Sequence, residues 1–181
     1  MMIDLKTYVE YTNDPELFAL HINEIREYNK SLIEKYPWVE IKNKEECNPY
    51  PEEEFVEDMR YNWTWLDGML PGWRLAFSEQ MCEELQKELE RVDYVNEYVI
   101  LDVKEKWGML RWSTAAIPID SELFEIATKY EDLSENICVD CGEKAEYISK
   151  GYICPFCKKC RDKAIEISDW LSEDSFVPIT K

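Results

Sequence analysis

Five of the seven cysteines in this 181-residue chain lie in one short stretch, ICVDCGEKAEYISKGYICPFCKKC, which spans residues 137–160. Cysteine pairs separated by two residues are typical of tetrahedral zinc sites, in which four thiolates surround one ion. An odd total of seven cysteines also argues against a closed set of disulfides. The stretch therefore predicts a zinc site that leaves one of its five cysteines out.

The local pattern favours one choice of four ligands. The stretch begins with a Cys-x2-Cys knuckle, after which residues 145–149 and 152–154 alternate like two short strands around a tight turn at Lys150-Gly151. The next residues have a helical rhythm, which puts two more cysteines at the start of a helix, near its free N–H groups. The predicted ligands are Cys138, Cys141, Cys157 and Cys160. Knuckle, hairpin and helix in this order predict a treble-clef-like zinc finger.

A second choice of ligands stays open at this point. The letters CPFC are themselves a knuckle sequence, so Cys154 can take the place of Cys160 beside Cys157. In both cases four thiolates close the coordination sphere, and the one zinc ion is predicted to be structural because water and substrate find no open position. Positive side chains from Lys158 to Lys163 suit the net negative charge of such a centre. Cys47 and Cys82 stand alone and are predicted to be ordinary thiols, with Cys82 on or beside the inward face of its helix.

The elements that must position these cysteines form a predicted α+β fold. A hairpin is expected where the β-rich residues 98–103 are followed by KEKWG and then by MLRWS. A helix is predicted from Ser78, as its cap, to Glu90, after a turn at Pro71-Gly72. The sequence is expected to form an acidic α+β domain over residues 1–136 and a zinc finger with a C-terminal helix over residues 137–181.

Three further helices are predicted from capping residues and prolines. One starts at residues 13–16 and ends at Tyr36-Pro37, the second starts at residues 51–54, and the third runs from residues 120–122 to about Tyr130. His21, the only histidine, lies on the apolar stripe of the first helix, so a packing role is favoured over catalysis. The aromatic side chains of Trp63, Trp65, Trp73 and Phe77 are expected to fill a core, with a partner-binding anchor as the alternative.

No catalytic residue is predicted. The sequence has no glycine-rich phosphate loop, no paired metal-binding histidines and no nucleophile with a recognisable base. One short pattern, Asp93 with Asp102-x-Lys104, is reminiscent of nucleases in which acids hold magnesium. A formal charge of −18 opposes the approach of a polyanion, so a nuclease is the least favoured of the functions considered.

The acidic residues predict a basic partner. Residues 51–100 hold 13 acidic and four basic side chains, the largest excess in the chain. Two groups of glutamates are candidate contacts: Glu79, Glu83, Glu84 and Glu88 on one helix, and Glu52, Glu53 and Glu54 at the start of another. The plainer interpretation is that the acids keep the protein soluble and that the second group suits a helix N-terminus.

The cellular location is predicted from the absence of a recognisable signal peptide and of a long apolar run. The first residues show no signal peptide, and no apolar run approaches the length that a bilayer requires. We expect a cytoplasmic protein with no membrane partner, in a compartment where closely spaced thiols bind metal more often than they form disulfides.

Four motifs in order, LPGWRLAFSEQMCEEL, VKEKWGMLRW, KYEDLSENICVDCG and GYICPFCKKC, resemble those of small uncharacterised proteins carried by phages and prophages, many in Firmicutes. The resemblance covers roughly residues 60 to 160. It implies that the second metal pair is Cys157 and Cys160 and that Cys154 is the variable position. Those relatives tend to have glutamine at the position of Asp102, which weakens the nuclease hypothesis further.

Together, the resemblance, the acidic charge and the lack of a catalytic constellation predict a non-enzymatic inhibitor of a host nucleic-acid enzyme. The most specific expectation is an anti-CRISPR protein whose carboxylates act as a DNA mimic on a Cas9-like nuclease. The alternatives are a zinc-stabilised nucleic-acid-binding or transcription accessory module that uses the basic residues 158–163, and the magnesium-dependent nuclease. For the inhibitor, no direct contact with nucleic acid is expected.

Overall fold

The computed structural model describes the backbone of residues 15–41 and 64–180, and the side chains of residues 25–41 and 64–180. The chain divides into two compact units, Met1–Asp67 and Gly68–Lys181. Both helices and antiparallel sheets are present, which confirms the α+β class. The predicted domain boundary at residue 136 stays a prediction. The compact unit that holds the cysteines begins at Gly68.

The first unit contains helix α1, Pro15–Lys35, followed by a short 3-10 helix, Pro37–Val39. As predicted, the helix starts at a proline and ends before Pro37. Asp67 organises the end of this unit, because its Oδ2 accepts hydrogen bonds from the side chain of Asn29 at 3.0 Å and from the backbone of Thr64 at 2.7 Å. The side chain of His21, the thiol of Cys47 and the ring of Trp63 lie outside the described side chains, as does the predicted helix start at residues 51–54.

The second unit is built around helix α2, Pro71–Arg91. Its inward stripe, Trp73, Phe77, Met81, Leu85 and Leu89, is buried at steps of four residues. The predicted start at Ser78 is wrong. Ser78 lies inside the helix, buried, and its hydroxyl donates to the carbonyl of Arg74 at 2.6 Å. The helix begins at Pro71 because proline has the φ angle of a first helical residue and lacks only an N–H that would have no partner there.

A two-stranded antiparallel sheet follows, with β1 at Ile100–Lys106 and β2 at Met109–Thr114. The predicted hairpin is therefore present. Its loop consists of Trp107 and Gly108, which have φ angles of 57° and 80°. Positive φ at both loop residues is the geometry that suits the twist of a two-residue hairpin.

Helix α3, Leu123–Ser134, packs on the outer edge of β2 and supplies the hydrogen bonds that an edge strand lacks. The hydroxyl of Ser134 accepts from the backbone N–H of Leu110 at 2.8 Å, and the carboxylate of Glu131 accepts from that of Trp112 at 2.7 Å. The rings of Phe77 and Tyr130 stack with centroids 5.5 Å apart and join α2 to α3.

The last part of the unit is a three-stranded sheet in the order β4-β3-β5, together with one helix. Its elements are β3 at Tyr147–Ser149, β4 at Pro155–Phe156, α4 at Lys158–Ile167, a 3-10 helix at Glu173–Ser175 and β5 at Phe176–Pro178. The sequence pattern did not predict β5. It is held by antiparallel pairing with β3 and by an edge-to-face contact between Phe176 and Phe156, whose centroids are 5.6 Å apart.

Replacing Ser134 with alanine should lower the free energy of unfolding by about 1–3 kcal/mol, because the buried N–H of Leu110 then loses its acceptor. Ser113 is exposed on β2, and Ser113→Ala is the control, expected to change stability by less than about 0.5 kcal/mol. Urea unfolding of the metal-loaded protein measures both. Equal effects of the two variants would show that the helix side chain does not complete the strand edge.

Candidate metal centre

The four predicted ligands converge in the structure. The sulfur atoms of Cys138, Cys141, Cys157 and Cys160 all lie within 4.8 Å of one another. Sulfurs at the corners of a zinc tetrahedron, with Zn–S distances of about 2.3 Å, are roughly 3.8 Å apart, so this group fits the ion closely. Two of the sulfurs, those of Cys141 and Cys157, are 3.6 Å apart. The residues present can therefore hold a metal ion such as zinc.

The knuckle that carries the first pair is shaped by backbone hydrogen bonds. The N–H of Gly142 donates to the carbonyl of Cys138 at 3.1 Å, and the N–H of Cys138 donates to that of Glu143 at 2.7 Å. Gly142 has a φ of 78°, a conformation that costs glycine little and other residues more. The glycine after Cys-x2-Cys is the sequence signal for this turn.

The second pair lies at the start of α4, as predicted. Cys157 is the N-cap of this helix, and its sulfur accepts from the backbone N–H of Cys160 at 3.4 Å. Burial opposes the charged form of Cys157, but the N–H of Cys160 and contacts with neighbouring thiols hold the pKa of this thiol below its ordinary value. A lowered pKa favours the thiolate, which is the form that binds metal.

Cys154 lies outside the cluster. It is buried just before β4, where its carbonyl accepts from the N–H of Ser149 at 3.0 Å and its own N–H donates to the hydroxyl of Ser149 at 3.0 Å. Burial raises the pKa of its thiol to about 12, so it stays neutral. Burial likewise raises the pKa of Cys138, to about 11, and that of Cys160. These two thiols differ from Cys154 in facing the other ligands, and binding of a metal would deprotonate them.

The knuckle is docked on the first turn of α2 by backbone contacts. The N–H of Gly72 donates to the carbonyl of Val139 at 2.7 Å, and the indole N–H of Trp73 donates to that of Ile137 at 3.1 Å. A Cβ atom added to Gly72 would lie only 2.0 Å from the carbonyl oxygen of Cys138. Glycine is thus required at position 72 because the two backbones touch, whereas the letters Pro71-Gly72 predict only a turn.

Two of the basic side chains near Cys157 and Cys160 form ion pairs with one carboxylate. Lys158 forms an ion pair with Asp162 at 2.7 Å, and the guanidinium of Arg161 contacts the same carboxylate. Arg161 also lies over the ring of Tyr147, with its central carbon 4.0 Å from the ring centroid. The hydrogen bonds from these cations lower the pKa of Asp162, so the carboxylate stays charged and compensates part of the local positive charge.

The four glutamates predicted on one helix do not form one surface. Glu79 and Glu83 are exposed, whereas Glu84 accepts from Lys129 at 2.6 Å and Glu88 is buried. The carboxylate of Glu88 accepts from Arg91 at 2.6 and 2.7 Å and from the backbone N–H of Glu122 at 2.6 Å. These hydrogen bonds, above all those from Arg91, lower the pKa of Glu88. The glutamates at 52–54 lie outside the described residues.

The residues of the nuclease pattern lie on two different elements. Asp102 and Lys104 form an ion pair with each other on β1, and Asp93 lies in the turn after α2 with a φ of 52°. Within the described part of the chain, the four cysteines are the only group of three or more potential ligands close enough to share an ion. Cys82 is buried on the inward side of α2, as predicted, and so are the rings of Trp73 and Phe77.

Comparison with known proteins found no protein-family model, curated protein or solved structure that matches this chain. Within residues 15–41 and 64–180, none of the helices combines the length and the apolar composition that crossing a bilayer demands.

Metal binding provides the first test of the centre. Cys157→Ser and Cys160→Ser should each lower the metal content of the purified protein and its soluble yield, because a three-thiolate site binds zinc less tightly. Cys154→Ser is the matched control and should keep one metal ion per chain. Metal content is measured by mass spectrometry under native conditions. Loss of the metal in Cys154→Ser alone would overturn the assignment of the ligands.

Gly72→Ala tests the docking of the knuckle. Alanine normally stabilises a helix relative to glycine by about 0.5–1 kcal/mol. At this position the opposite sign is expected, a loss of about 1–3 kcal/mol or more, because the added methyl group overlaps the carbonyl oxygen of Cys138. Gln80→Ala, at an exposed site on the same helix, should be neutral or slightly stabilising. Thermal unfolding that finds Gly72→Ala more stable than the parent would contradict the contact.

Proposed function

We propose that this chain is a non-enzymatic binding protein of mobile-element type, which inhibits a host nucleic-acid enzyme by covering a basic surface. The observation that carries the proposal is an exposed acidic stripe on α2, here called the acidic ridge: Glu79, Glu83 and Glu90. Steps of four and seven residues put these side chains on one face of the helix. The acidic ridge therefore offers three aligned carboxylates to a partner.

The acidic ridge differs from the group of glutamates predicted on this helix, because it leaves out Glu84 and Glu88. Glu84 and Glu88 lie on the side of α2 that faces α3, where Lys129 and Arg91 neutralise them. Gln86 continues the exposed side of the helix and donates to Glu90 at 2.7 Å. Glu79, Glu83 and Glu90 are exposed, so a basic protein can reach them.

We infer that the metal is zinc and that its role is structural. Four thiolates complete a tetrahedral sphere, which leaves no position for substrate. Knuckle, hairpin and helix stand in the order of a treble clef, which we assign to residues 137–167. Bound zinc would hold α4 to the knuckle, and the knuckle in turn holds the first turn of α2. A cytoplasmic location, where thiols stay reduced, suits this centre.

The specific partner that we propose is a Cas9-like nuclease. Such enzymes hold guide and target strands in positively charged channels and read a short flanking motif with arginines. A helix that presents carboxylates at regular steps can occupy such a channel in place of phosphates. The mutual approach of the two proteins would be accelerated by their opposite charges and slowed by salt.

A nucleic-acid accessory module is the second candidate, and one observation favours it. Helix α4 has no buried residue and carries the exposed lysines Lys158, Lys159 and Lys163. The pairing of Lys158 with Asp162 reduces the positive charge of this surface, which places the candidate second. The nuclease with Asp93, Asp102 and Lys104 is third, because its acids share no cluster with a third ligand among the described residues.

Charge reversal tests the inhibitor proposal. The triple variant Glu79→Lys, Glu83→Lys and Glu90→Lys should slow association with the target enzyme by roughly tenfold or more at low salt, because steering depends on these charges. The matched control reverses three exposed acids on other elements, Asp132, Glu135 and Glu166, with the same change in net charge. The measurement is surface plasmon resonance against a panel of Cas9 orthologues with guide RNA, together with cleavage of target DNA.

The two variants separate a specific surface from a general effect of charge. Equal losses in both would mean that only net charge matters, and the acidic ridge would not be the contact. Inhibition of no orthologue by the parent protein would refute the Cas9 form of the proposal. Retention of the α2 fold in each variant is checked by circular dichroism and metal content.

A further inference from the structure

Two exposed aromatic rings lie on neighbouring loops of the second unit. Trp107, in the β1–β2 turn, is 74% exposed, and Tyr152, in the loop between β3 and β4, is 69% exposed. The two loops touch, since a Cβ atom added to Gly108 would lie 3.2 Å from the carbonyl oxygen of Ile153 and 3.3 Å from its Cγ2. We call this surface the aromatic tip: Lys106, Trp107, Lys150, Tyr152 and Ile153.

Glu105 joins the two loops of the aromatic tip. One of its carboxylate oxygens accepts from the backbone N–H of Gly108 at 2.7 Å, and the other accepts from the hydroxyl of Tyr152. One side chain thus fixes both loops. The hydrogen bond to Glu105 raises the pKa of Tyr152 to about 12, so its hydroxyl remains a donor at neutral pH. Because the turn that carries Trp107 and the ring of Tyr152 are already held, they lose little conformational freedom when a ligand binds.

The aromatic tip carries two exposed lysines, although the chain as a whole has a net charge of −18. The ammonium of Lys106 lies 5.2 Å from the ring centroid of Trp107, and Lys150 is exposed two residues before Tyr152. In the described part of the chain, neither lysine forms an ion pair with a carboxylate. The carboxylate of Glu105 keeps its negative charge while it accepts these two hydrogen bonds, so it offsets one of the two lysine charges. The tip therefore combines flat rings with unpaired positive charge.

We propose that the aromatic tip binds single-stranded DNA. Unpaired bases stack on exposed aromatic rings, and lysines beside the rings contact the phosphates. Ile153, 43% exposed between the touching loops, offers an apolar contact to the methyl group of thymine. Duplex DNA buries the faces of its bases and fits this surface less well. The proposal is independent of the inhibitor function, because it needs no enzyme.

The test uses the full, metal-loaded chain and a fluorescein-labelled oligo(dT) of about twelve nucleotides, within the site sizes typical of such surfaces. Trp107→Asn should weaken binding by roughly tenfold, measured by fluorescence anisotropy at low salt. Asparagine is chosen because Asn-Gly is a preferred sequence for this turn, so the variant keeps the hairpin. Trp170→Asn, at another highly exposed tryptophan, is the matched control and should bind like the parent.

Three outcomes would overturn the proposal: equal affinity of Trp107→Asn and the parent, equal losses in the two tryptophan variants, or binding of a duplex as tight as that of the single strand. Equal or tighter binding of oligo(rU), which lacks the thymine methyl group, would overturn the choice of DNA. Displacement by polyglutamate as complete as by unlabelled oligo(dT) would indicate an acidic protein as the occupant instead. The expected salt dependence is shallow, with a slope of log K against log salt of about −1, since few phosphates are contacted.

Discussion

The contact between the first turn of α2 and the cysteine knuckle is the constraint on which the second unit depends. Backbone meets backbone there, with the N–H of Gly72 2.7 Å from the carbonyl oxygen of Val139. Such an approach requires the knuckle to keep its shape, and a tight turn of five residues buries too little surface to do so alone. A metal ion held by four thiolates supplies on the order of 10 kcal/mol of folding free energy in small domains of this kind. The proposed zinc would therefore order α2 as well as its own ligands.

Helix α2 in turn contacts other elements of the second unit. Its inward stripe contacts α3 through the stacked rings of Phe77 and Tyr130, and Glu88 joins its C-terminal end to the start of α3 by accepting from Arg91 and from the N–H of Glu122. A buried carboxylate is stabilising only when its oxygens are satisfied, as these are. The acids of this chain thus have two roles. Some hold the helices together, and the acidic ridge remains on the surface.

Much of this architecture can be predicted from sequence where residue type and spacing act locally. The spacing of the cysteines, the glycine after the first pair and the helical rhythm after Cys157 together predict the four cysteines whose sulfur atoms converge in the structure. The KEKWG turn predicts the hairpin because glycine permits positive φ at its second loop residue. The helix start was wrongly predicted at Ser78 because a serine hydroxyl has two common roles. It can cap the start of a helix, or it can donate to the carbonyl one turn earlier inside a helix.

Other features depend on contacts between distant residues, which a local pattern does not reveal. The separation of Glu84 and Glu88 from the acidic ridge follows from the position of α3, and spacing at steps of four shows only that the residues share a side of the helix. The strand β5 is three residues long, and its pairing with β3 decides its conformation. The requirement for Gly72 is visible only once the knuckle lies against it.

The central claim, that the metal centre orders the first turn of α2, is tested most directly by hydrogen exchange at the backbone amide of Gly72. The exchange rate is measured by nuclear magnetic resonance with the metal bound and after removal of the metal by a chelator. If the centre holds the knuckle against α2, this amide is protected in the metal-loaded protein and exchanges much faster once the metal is gone. Equal protection of the Gly72 amide in both states would contradict the claim.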